Sequence, residues 1–129
     1  MTEKKSTGFV VTVHSIIGVI DVHGNVETEW VEERPVNSSL TTFYRSYTDE
    51  NGVYHTDGSF TDIDQAINYM DNLVAQAVLE MLNKGWVDIN VGRKMYGRSR
   101  AAVIVSVFGK TEDGARGWQQ TYGISKDDR

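Results

Sequence analysis

The sequence contains no cysteine among its 129 residues, so disulfides, zinc–thiolate sites and thiol nucleophiles are excluded. No apolar run has the length of a membrane span or the layout of a signal peptide. The most apolar stretch, residues 8–22, is interrupted by His14, Gly18 and Asp21, and its β-branched residues favour a strand. We therefore expect a single soluble domain in the cytoplasm with no membrane contact. The glycosylation match at residues 37–39 is expected to be unused.

Catalytic motifs are missing as well. Residues 57–61, which precede the main helical segment, lack the spacing and the lysine of a phosphate-binding loop. There is no serine nucleophile elbow, and no carboxylate pair lies in an apolar setting that would raise a pKa for acid catalysis. We therefore predict a non-catalytic protein that needs no cofactor.

Charge is unevenly distributed along the chain, whose net charge is −5. Residues 1–60 carry nine acidic and four basic side chains, whereas residues 61–129 carry nine of each. The acidic excess lies in the N-terminal strands and the basic excess in residues 93–100. This asymmetry indicates a soluble surface, and it also marks both segments as possible binding sites.

A single amphipathic helix is predicted between Thr61 and Gly85. Its apolar residues recur at steps of three and one, which is the 3.6-residue period: Ile63, Ala66, Ile67, Met70, Leu73, Val74, Ala77, Val78, Met81 and Leu82. Asp62 and Asp64 can accept hydrogen bonds from the first turn, and Gly85 can adopt the left-handed conformation that ends a helix. We expect Trp86 to fold back onto Met81.

In the remaining segments, apolar and polar residues alternate or apolar residues follow one another without interruption. Both patterns are typical of strands. The predicted strands lie at residues 9–22, 26–33, 40–48, 53–56, 87–91, 101–108 and 118–124. The order β-β-β-β-α-β-β-β predicts an α+β two-layer sandwich, in which one helix crosses a mostly antiparallel sheet. Residues 1–7 and 125–129 are predicted to be tails around a domain at 8–124.

The turn between the first two strands decides which residues face each other. A type II′ turn at Gly24 and Asn25 would place Trp30 opposite Val19. The alternative two-residue loop, at His23 and Gly24, would place Glu27 opposite Ile20. We favour the first.

One helix, about 10 Å wide, cannot cover a sheet of six or seven strands. Either the sheet curls around the helix, or part of the other face of the sheet is buried against a partner or a second copy, as in a homodimer. The first candidates for such contacts are Trp30, Trp118, Tyr44 and Tyr47. The alternative is that these aromatic residues complete the core of the monomer.

The acidic strand face offers a second kind of contact. Glu27, Glu29 and Glu33 are predicted to project together, so they could attract a basic protein surface. Alternatively, they keep an exposed edge strand from aggregating.

Two further hypotheses assign chemistry to short segments. The loop at residues 93–100 carries cations and an aromatic residue suited to nucleic acid: Arg93, Lys94, Tyr96, Arg98 and Arg100. The acidic net charge argues against nucleic-acid binding. If the ends of the two N-terminal hairpins meet, Asp21, His23, His55 and Asp57 could bind a divalent metal and support a metal-dependent enzyme.

These patterns together favour a small binding protein that acts through protein–protein contacts. Inhibitors, immunity proteins and accessory factors are of this size and lack catalytic motifs, including those encoded by phages or mobile elements. A partner protein is the expected ligand.

Overall fold

The computed structural model describes residues 8–28, 37–95 and 101–127. The fold is α+β, as predicted, with a single described helix and antiparallel strands. Its elements are β1 (Phe9–Ile20), β2 (Val26–Thr28), β3 (Asn37–Phe43), β4 (Arg45–Thr48), β5 (Tyr54–Gly58), α1 (Ile63–Asn83), β6 (Val87–Met95), β7 (Ala101–Lys110) and β8 (Arg116–Lys126).

The main sheet has the order β2-β1-β8-β7-β6, and β3 also pairs with β1. Because β8 occupies one edge of β1, β2 and β3 share the other: β3 pairs with residues 11–17 and β2 with residues 18–20. The predicted strand at residues 40–48 is divided at Tyr44. Its first part joins the main sheet, whereas its second part forms a separate two-stranded sheet with β5.

Both ends of α1 follow the sequence prediction. Asp62 is the N-cap, and its carboxylate accepts a hydrogen bond from the backbone N–H of Asp64. At the other end Gly85 has φ +86°, and the N–H of Trp86 donates to the carbonyl of Met81 over 3.0 Å. The N–H of Gly85 donates to the carbonyl of Leu82, which completes a Schellman motif.

The core lies between α1 and one face of the sheet. The helix contributes Ala66, Met70, Ala77 and Met81, all buried. Facing them are alternate residues of the central strands, among which are Val11, Val13, Val103, Val105, Val107, Trp118, Tyr122 and Ile124. Met70 and Met81 are fully buried, and each contributes about 1.5–3 kcal/mol relative to an exposed side chain. This burial confirms that the apolar stripe of the helix covers the sheet.

One short polar chain crosses this otherwise apolar layer. The hydroxyl of Tyr122 donates to Oε1 of Gln120, and Nε2 of Gln120 donates to Oγ of Ser15 over 2.9 Å. Because each polar atom named here has a partner, the chain fixes the pairing of β8 with β1 without a large desolvation cost. Burial, together with the nearby carboxylate of Glu80, raises the pKa of Tyr122 to about 12.

The hairpin between β1 and β2 differs from both predicted registers. Val19 pairs with Glu27 and Ile20 with Val26, so the predicted pairing of Val19 with Trp30 is wrong. The loop has three residues, because the N–H of Asp21 donates to the carbonyl of Asn25. Gly24 supplies the positive φ that such a loop needs at its third position.

The C-terminal boundary of the domain also differs from the predicted one at residue 124. β8 extends to Lys126, and Phe9 of β1 pairs with Lys126. The N–H of Asp127 then donates to the carbonyl of Gly8 over 2.9 Å, and Asp127 is buried. Residues 125–127, predicted as part of a tail, therefore belong to the folded domain, because β1 begins early enough to pair with them.

Candidate protein-interaction surface

Strand β6 forms one edge of the main sheet. Among the described residues it pairs with β7 alone, so the backbone groups on its outer side have no strand partner. Ile89 is half-buried, and the other eight residues are more exposed, with Val87 at 36%, Val91 at 53% and Met95 at 70%. The sequence alternation from Val87 to Val91 predicts a half-buried strand, but the strand continues to Met95 and is mostly open. An edge strand of this length is a template for adding another strand.

Three exposed side chains of β6 project to the helix side of the sheet, where Ile89 also packs against the core. Val91 pairs with Val107, Arg93 with Val105 and Met95 with Val103, and directly paired residues of an antiparallel sheet share a face. Although those three valines of β7 are buried, Val91 is 53% exposed and Met95 is 70% exposed. The helix therefore covers β7 but leaves Val91 and Met95 of β6 largely exposed.

An ion pair joins the flank of α1 to this strand. Nη2 of Arg93 donates to Oδ1 of Asp71 over 2.6 Å. Leu82 lies eleven residues after Asp71, close to three helical turns, so it shares the same flank of the helix and is 57% exposed. We call the group formed by Asp71, Leu82, Val91, Arg93 and Met95 the edge surface. It places exposed apolar side chains beside an open strand edge, an arrangement typical of protein-binding sites.

A β-bulge marks the beginning of β6. The pairing with β7 shifts between Val87 and Asn90, and Asp88 adopts a left-handed φ of 51°. The carboxylate of Asp88 lies 3.1 Å from the ammonium of Lys110, and Nδ2 of Asn90 donates to the carbonyl of Asp88 over 2.9 Å. These contacts hold a conformation that few residues other than glycine adopt readily.

A concavity of about 510 Å³ adjoins the bulge. Its apolar lining includes Ile20, Ile89 and Phe108, and its polar groups come from Asp88, Asn90 and Lys110. Its volume lies in the range of small-molecule sites. However, the three polar side chains already contact one another or the bulge backbone, as described above, which weakens the argument for a ligand there.

The predicted interface residues are scattered. Trp118 is 6% exposed and packs in the core beside Trp86, with ring centroids 6.0 Å apart. It therefore completes the monomer core, which is one of the two alternatives that the sequence leaves open. Tyr44 follows β3 directly, and both Tyr44 and Tyr47 are half-buried. Trp30, Glu29 and Glu33 lie outside the described residues, and for Glu27 the structure describes only the backbone pairing with Val19.

Tyr47 belongs to a compact cluster on the β4–β5 sheet. Its ring stacks on His55 with centroids 4.8 Å apart, and the guanidinium of Arg45 lies 4.3 Å from the ring centroid. Nε2 of His55 is 2.8 Å from Oδ2 of Asp49, and this hydrogen bond holds the pKa of Asp49 below its ordinary value, helped by the N–H of Val53. Sequence reasoning missed Asp49 as the partner of His55.

The predicted four-residue metal site is not formed. Asp21 accepts hydrogen bonds from the N–H groups of His23 and Asn25 in the turn after β1. Asp57 lies instead near the beginning of β1, because β5 leads into Phe60, which pairs with Phe9. The twelve residues of β1, about 40 Å of extended chain, separate Asp57 from Asp21. Among the described residues no group of three or more potential ligands could hold a metal ion.

The predicted nucleic-acid loop begins later than expected. Arg93 and Lys94 belong to β6, where neighbouring residues project to opposite faces of the sheet. Arg93 is paired with Asp71, so these two cations do not line one groove. Tyr96, Arg98 and Arg100 lie outside the described residues, and binding of nucleic acid stays a prediction.

Comparison with known proteins adds no functional information. No protein family, curated protein or solved structure matches this chain. In the part of the chain that the structure describes, no helix combines the length and the apolar character needed to cross a bilayer.

Proposed function

We propose that this chain is a small, non-catalytic binding protein that acts in the cytoplasm through protein–protein contacts made at the edge surface. The partner presents an extended strand, which adds to β6 and lays apolar side chains against Val91 and Met95. The observation that supports this most directly is the exposure of these two residues, at 53% and 70%, beside an outer strand edge.

Strand addition fits the chemistry of this surface. Backbone hydrogen bonds to the edge of β6 supply affinity for any extended chain, whereas alternate side chains supply specificity. The helix flank lies close enough for Asp71 to reach Arg93, so a partner strand would meet a wall formed by α1 on one side. The proposed classes are those expected from the sequence: an inhibitor, an immunity protein or an accessory factor, including one from a phage or mobile element.

A photo-crosslinking residue at position 91 tests the proposal in cells of the native host. The matched control is position 53, because Val53 is 52% exposed and lies in the β4–β5 turn, away from β6. We expect an adduct from p-benzoylphenylalanine at position 91 that position 53 does not give. Adducts that are identical from both positions, or absent from both, would contradict the proposal.

A second measurement shows that the adduct reflects binding at the edge surface. The crosslinked protein is identified by mass spectrometry, purified, and titrated against the wild-type chain and a Met95→Lys variant. Because a lysine at this exposed position adds charge where an apolar contact is proposed, we expect weaker binding by the variant. Equal affinity would place the contact elsewhere.

A further inference from the structure

We infer that Asn51 is a site of spontaneous deamidation and that the carboxylate of Asp49 sets the rate of this reaction. Asn51 and Gly52 lie in the turn between β4 and β5, and both residues are exposed. The site is separate from the edge surface, so the inference goes beyond the proposed function and does not depend on it.

The reaction needs only these two residues and water. The backbone nitrogen of Gly52 attacks Cγ of Asn51, so that a bond from nitrogen to Cγ forms and the bond from Cγ to Nδ2 breaks. The side-chain nitrogen takes up the proton that Gly52 gives up and leaves as ammonia, and a five-membered succinimide ring remains. Water then opens the ring at either carbonyl and leaves aspartate or isoaspartate at position 51. Because the reacting atoms belong to neighbouring residues, the attack is intramolecular and is favoured by proximity.

The glycine that follows distinguishes Asn51 from every other asparagine in the sequence. Asn51 alone precedes a glycine, whereas the other asparagines precede residues whose side chains hinder a close approach of the backbone. A Cβ atom built at Gly52 would meet nothing within 4 Å, so the space around this residue is open. Among the described residues, no hydrogen bond holds the side-chain amide of Asn51, which can therefore turn toward Gly52.

A second turn has a similar glycine but lacks the amide. In the turn between β7 and β8, Asp113 precedes Gly114, and the N–H of Gly114 donates to the carbonyl of Thr111 over 2.9 Å. The hydroxyl of Thr111 and the N–H of Ala115 hold the pKa of Asp113 below its ordinary value, so its carboxylate stays ionised at neutral pH. Because an ionised carboxylate resists nucleophilic attack, this turn should stay unmodified.

The carboxylate of Asp49 opposes the reaction by holding the turn closed. Its Oδ1 accepts hydrogen bonds from the N–H groups of Asn51 and Val53, each over 2.9 Å. The N–H of Gly52 donates to the carbonyl of Asp49 over 3.0 Å, so the nitrogen can attack only after this bond opens. Exposed turns open locally at a small cost in free energy. Loss of the two side-chain bonds would lower that cost further, and this is how Asp49 sets the rate.

Deamidation changes the cluster built on this turn. Isoaspartate routes the main chain through the former side chain and so lengthens it between Asp49 and Val53. The N–H of Asp49 donates to the carbonyl of Val53 over 2.9 Å, and Oδ2 of Asp49 lies 2.8 Å from Nε2 of His55. Both contacts depend on the closed turn, so the modified chain should lose the anchor that holds His55 against Tyr47.

Peptide mapping of the full chain tests the inference. The chain is kept in mildly alkaline buffer at physiological temperature, and mass spectrometry of digests measures aspartate and isoaspartate at each asparagine, relative to a digest made before incubation. We expect position 51 to be modified severalfold faster than any other asparagine. Asn51→Gln should abolish the modification there, because glutamine would have to close a larger ring. A rate at Asn51 no higher than at the other asparagines overturns the inference.

Two matched variants test the role of Asp49. Asp21 makes the same contacts in the turn between β1 and β2, where it accepts hydrogen bonds from the N–H groups of His23 and Asn25, each over 2.8 Å. Asp49→Ala should raise the rate at position 51 by at least about threefold, because two hydrogen bonds that close the turn are lost. Asp21→Ala removes the matched bonds elsewhere and should leave that rate unchanged. Circular dichroism confirms that both variants are folded, and equal rates at position 51 in the two would overturn the role of Asp49.

Hydrogen exchange tests the structural consequence. Chains that carry isoaspartate at position 51 are separated from unmodified chains by chromatography. The N–H of Val53, which Asp49 holds in the unmodified chain, should exchange severalfold faster in the modified one. The N–H of Asn25 in the matched turn should exchange at the same rate in both. An unchanged rate at Val53 would contradict the loss of the anchor.

Discussion

The guanidinium of Arg93 lies 2.6 Å from the carboxylate of Asp71, and this contact joins edge strand β6 to the flank of α1. Both side chains are nearly half exposed, so water and salt weaken their attraction. The position of the pair matters more than its strength. It neutralises a cation that would otherwise stand beside Val91 and Met95, and so keeps the edge surface suited to an apolar partner.

A double-mutant cycle of Asp71→Ala and Arg93→Ala should give a coupling energy of about 0.2–1 kcal/mol, as exposed pairs do. The measurement is chemical denaturation of the two single variants and the double variant. A matched cycle on the exposed helical pair Glu80 and Lys84, whose charged atoms are 2.7 Å apart, should give a similar value. A coupling above about 2 kcal/mol for Arg93 would show that this pair holds the helix on the sheet.

Gly109→Ala should destabilise the fold by about 1–3 kcal/mol, because a side chain of α1 packs directly against this residue of β7. A Cβ atom there would lie 2.5 Å from Cε of Met81 and 3.3 Å from Cγ1 of Ile89. Since Met81 is fully buried, its side chain has little room to move. The control is Gly123→Ala in β8, where a Cβ atom meets nothing within 4 Å. Equal denaturation midpoints for the two variants would contradict the close approach.

The ends of the helix could be predicted because their signals are local. Asp62 and Gly85 each act within one helical turn, so the residue types alone indicate the hydrogen bonds. The fold class follows for a similar reason, since a 3.6-residue stripe among alternating segments requires a sheet to cover.

The edge surface could not be predicted, because it depends on strand order. The alternation from Val87 to Val91 predicts that these residues share a face, but it does not reveal the bulge that separates them or how far the helix covers the strand. The position of Val91 and Met95 at an open edge follows only from the strand order, in which β6 pairs with β7 alone among the described strands. A run of apolar residues in an edge strand and in a central strand looks the same in sequence, and sheet order is decided by contacts distant along the chain.

The histidine cluster shows the same limit on a smaller scale. The spacing of His55 and Asp57 suggests that they act together, yet the shortest distance places Nδ1 of His55 4.0 Å from Oδ1 of Asp57. The closer partner is Asp49, which precedes the turn that returns the chain to β5. The register of a hairpin thus overrides proximity in sequence.

Gly85→Ala should destabilise the protein by about 1–2 kcal/mol, because alanine is strained at the left-handed φ of +86°. The N–H groups of Gly85 and Trp86 close the last turn of α1 only in this conformation. Gly85→Asn should cost less, since asparagine tolerates that region better. Thermal unfolding of both variants gives the comparison, and an alanine variant as stable as the asparagine variant would contradict the role of φ.

Asp49→Asn should remove part of the acid sensitivity of the β4–β5 sheet. The hydrogen bond from His55 and the N–H groups of Val53 and Asn51 hold the pKa of Asp49 below its ordinary value. A carboxylate with a depressed pKa stabilises the fold above about pH 4. This stabilisation is lost as the pH falls further and the carboxylate is protonated. Stability measured from pH 6 downward, a range of about four units, should therefore fall more steeply for the wild type than for the variant. Parallel curves would show that Asp49 is not the group responsible.

Tyr122→Phe should change how the protein responds to alkali. Burial raises the pKa of Tyr122 to about 12, so the folded chain keeps the phenol protonated after an unfolded tyrosine has ionised near pH 10. The difference in pKa between the folded and unfolded chains stabilises the fold below about pH 10. This stabilisation is lost as the pH rises toward 12. The variant should lack this alkaline decline, although it should be about 1–3 kcal/mol less stable at neutral pH because Gln120 loses its donor. The difference in phenolate absorbance between the two proteins reports the titration of this residue alone, and a transition near pH 10 would show that Tyr122 is open to water.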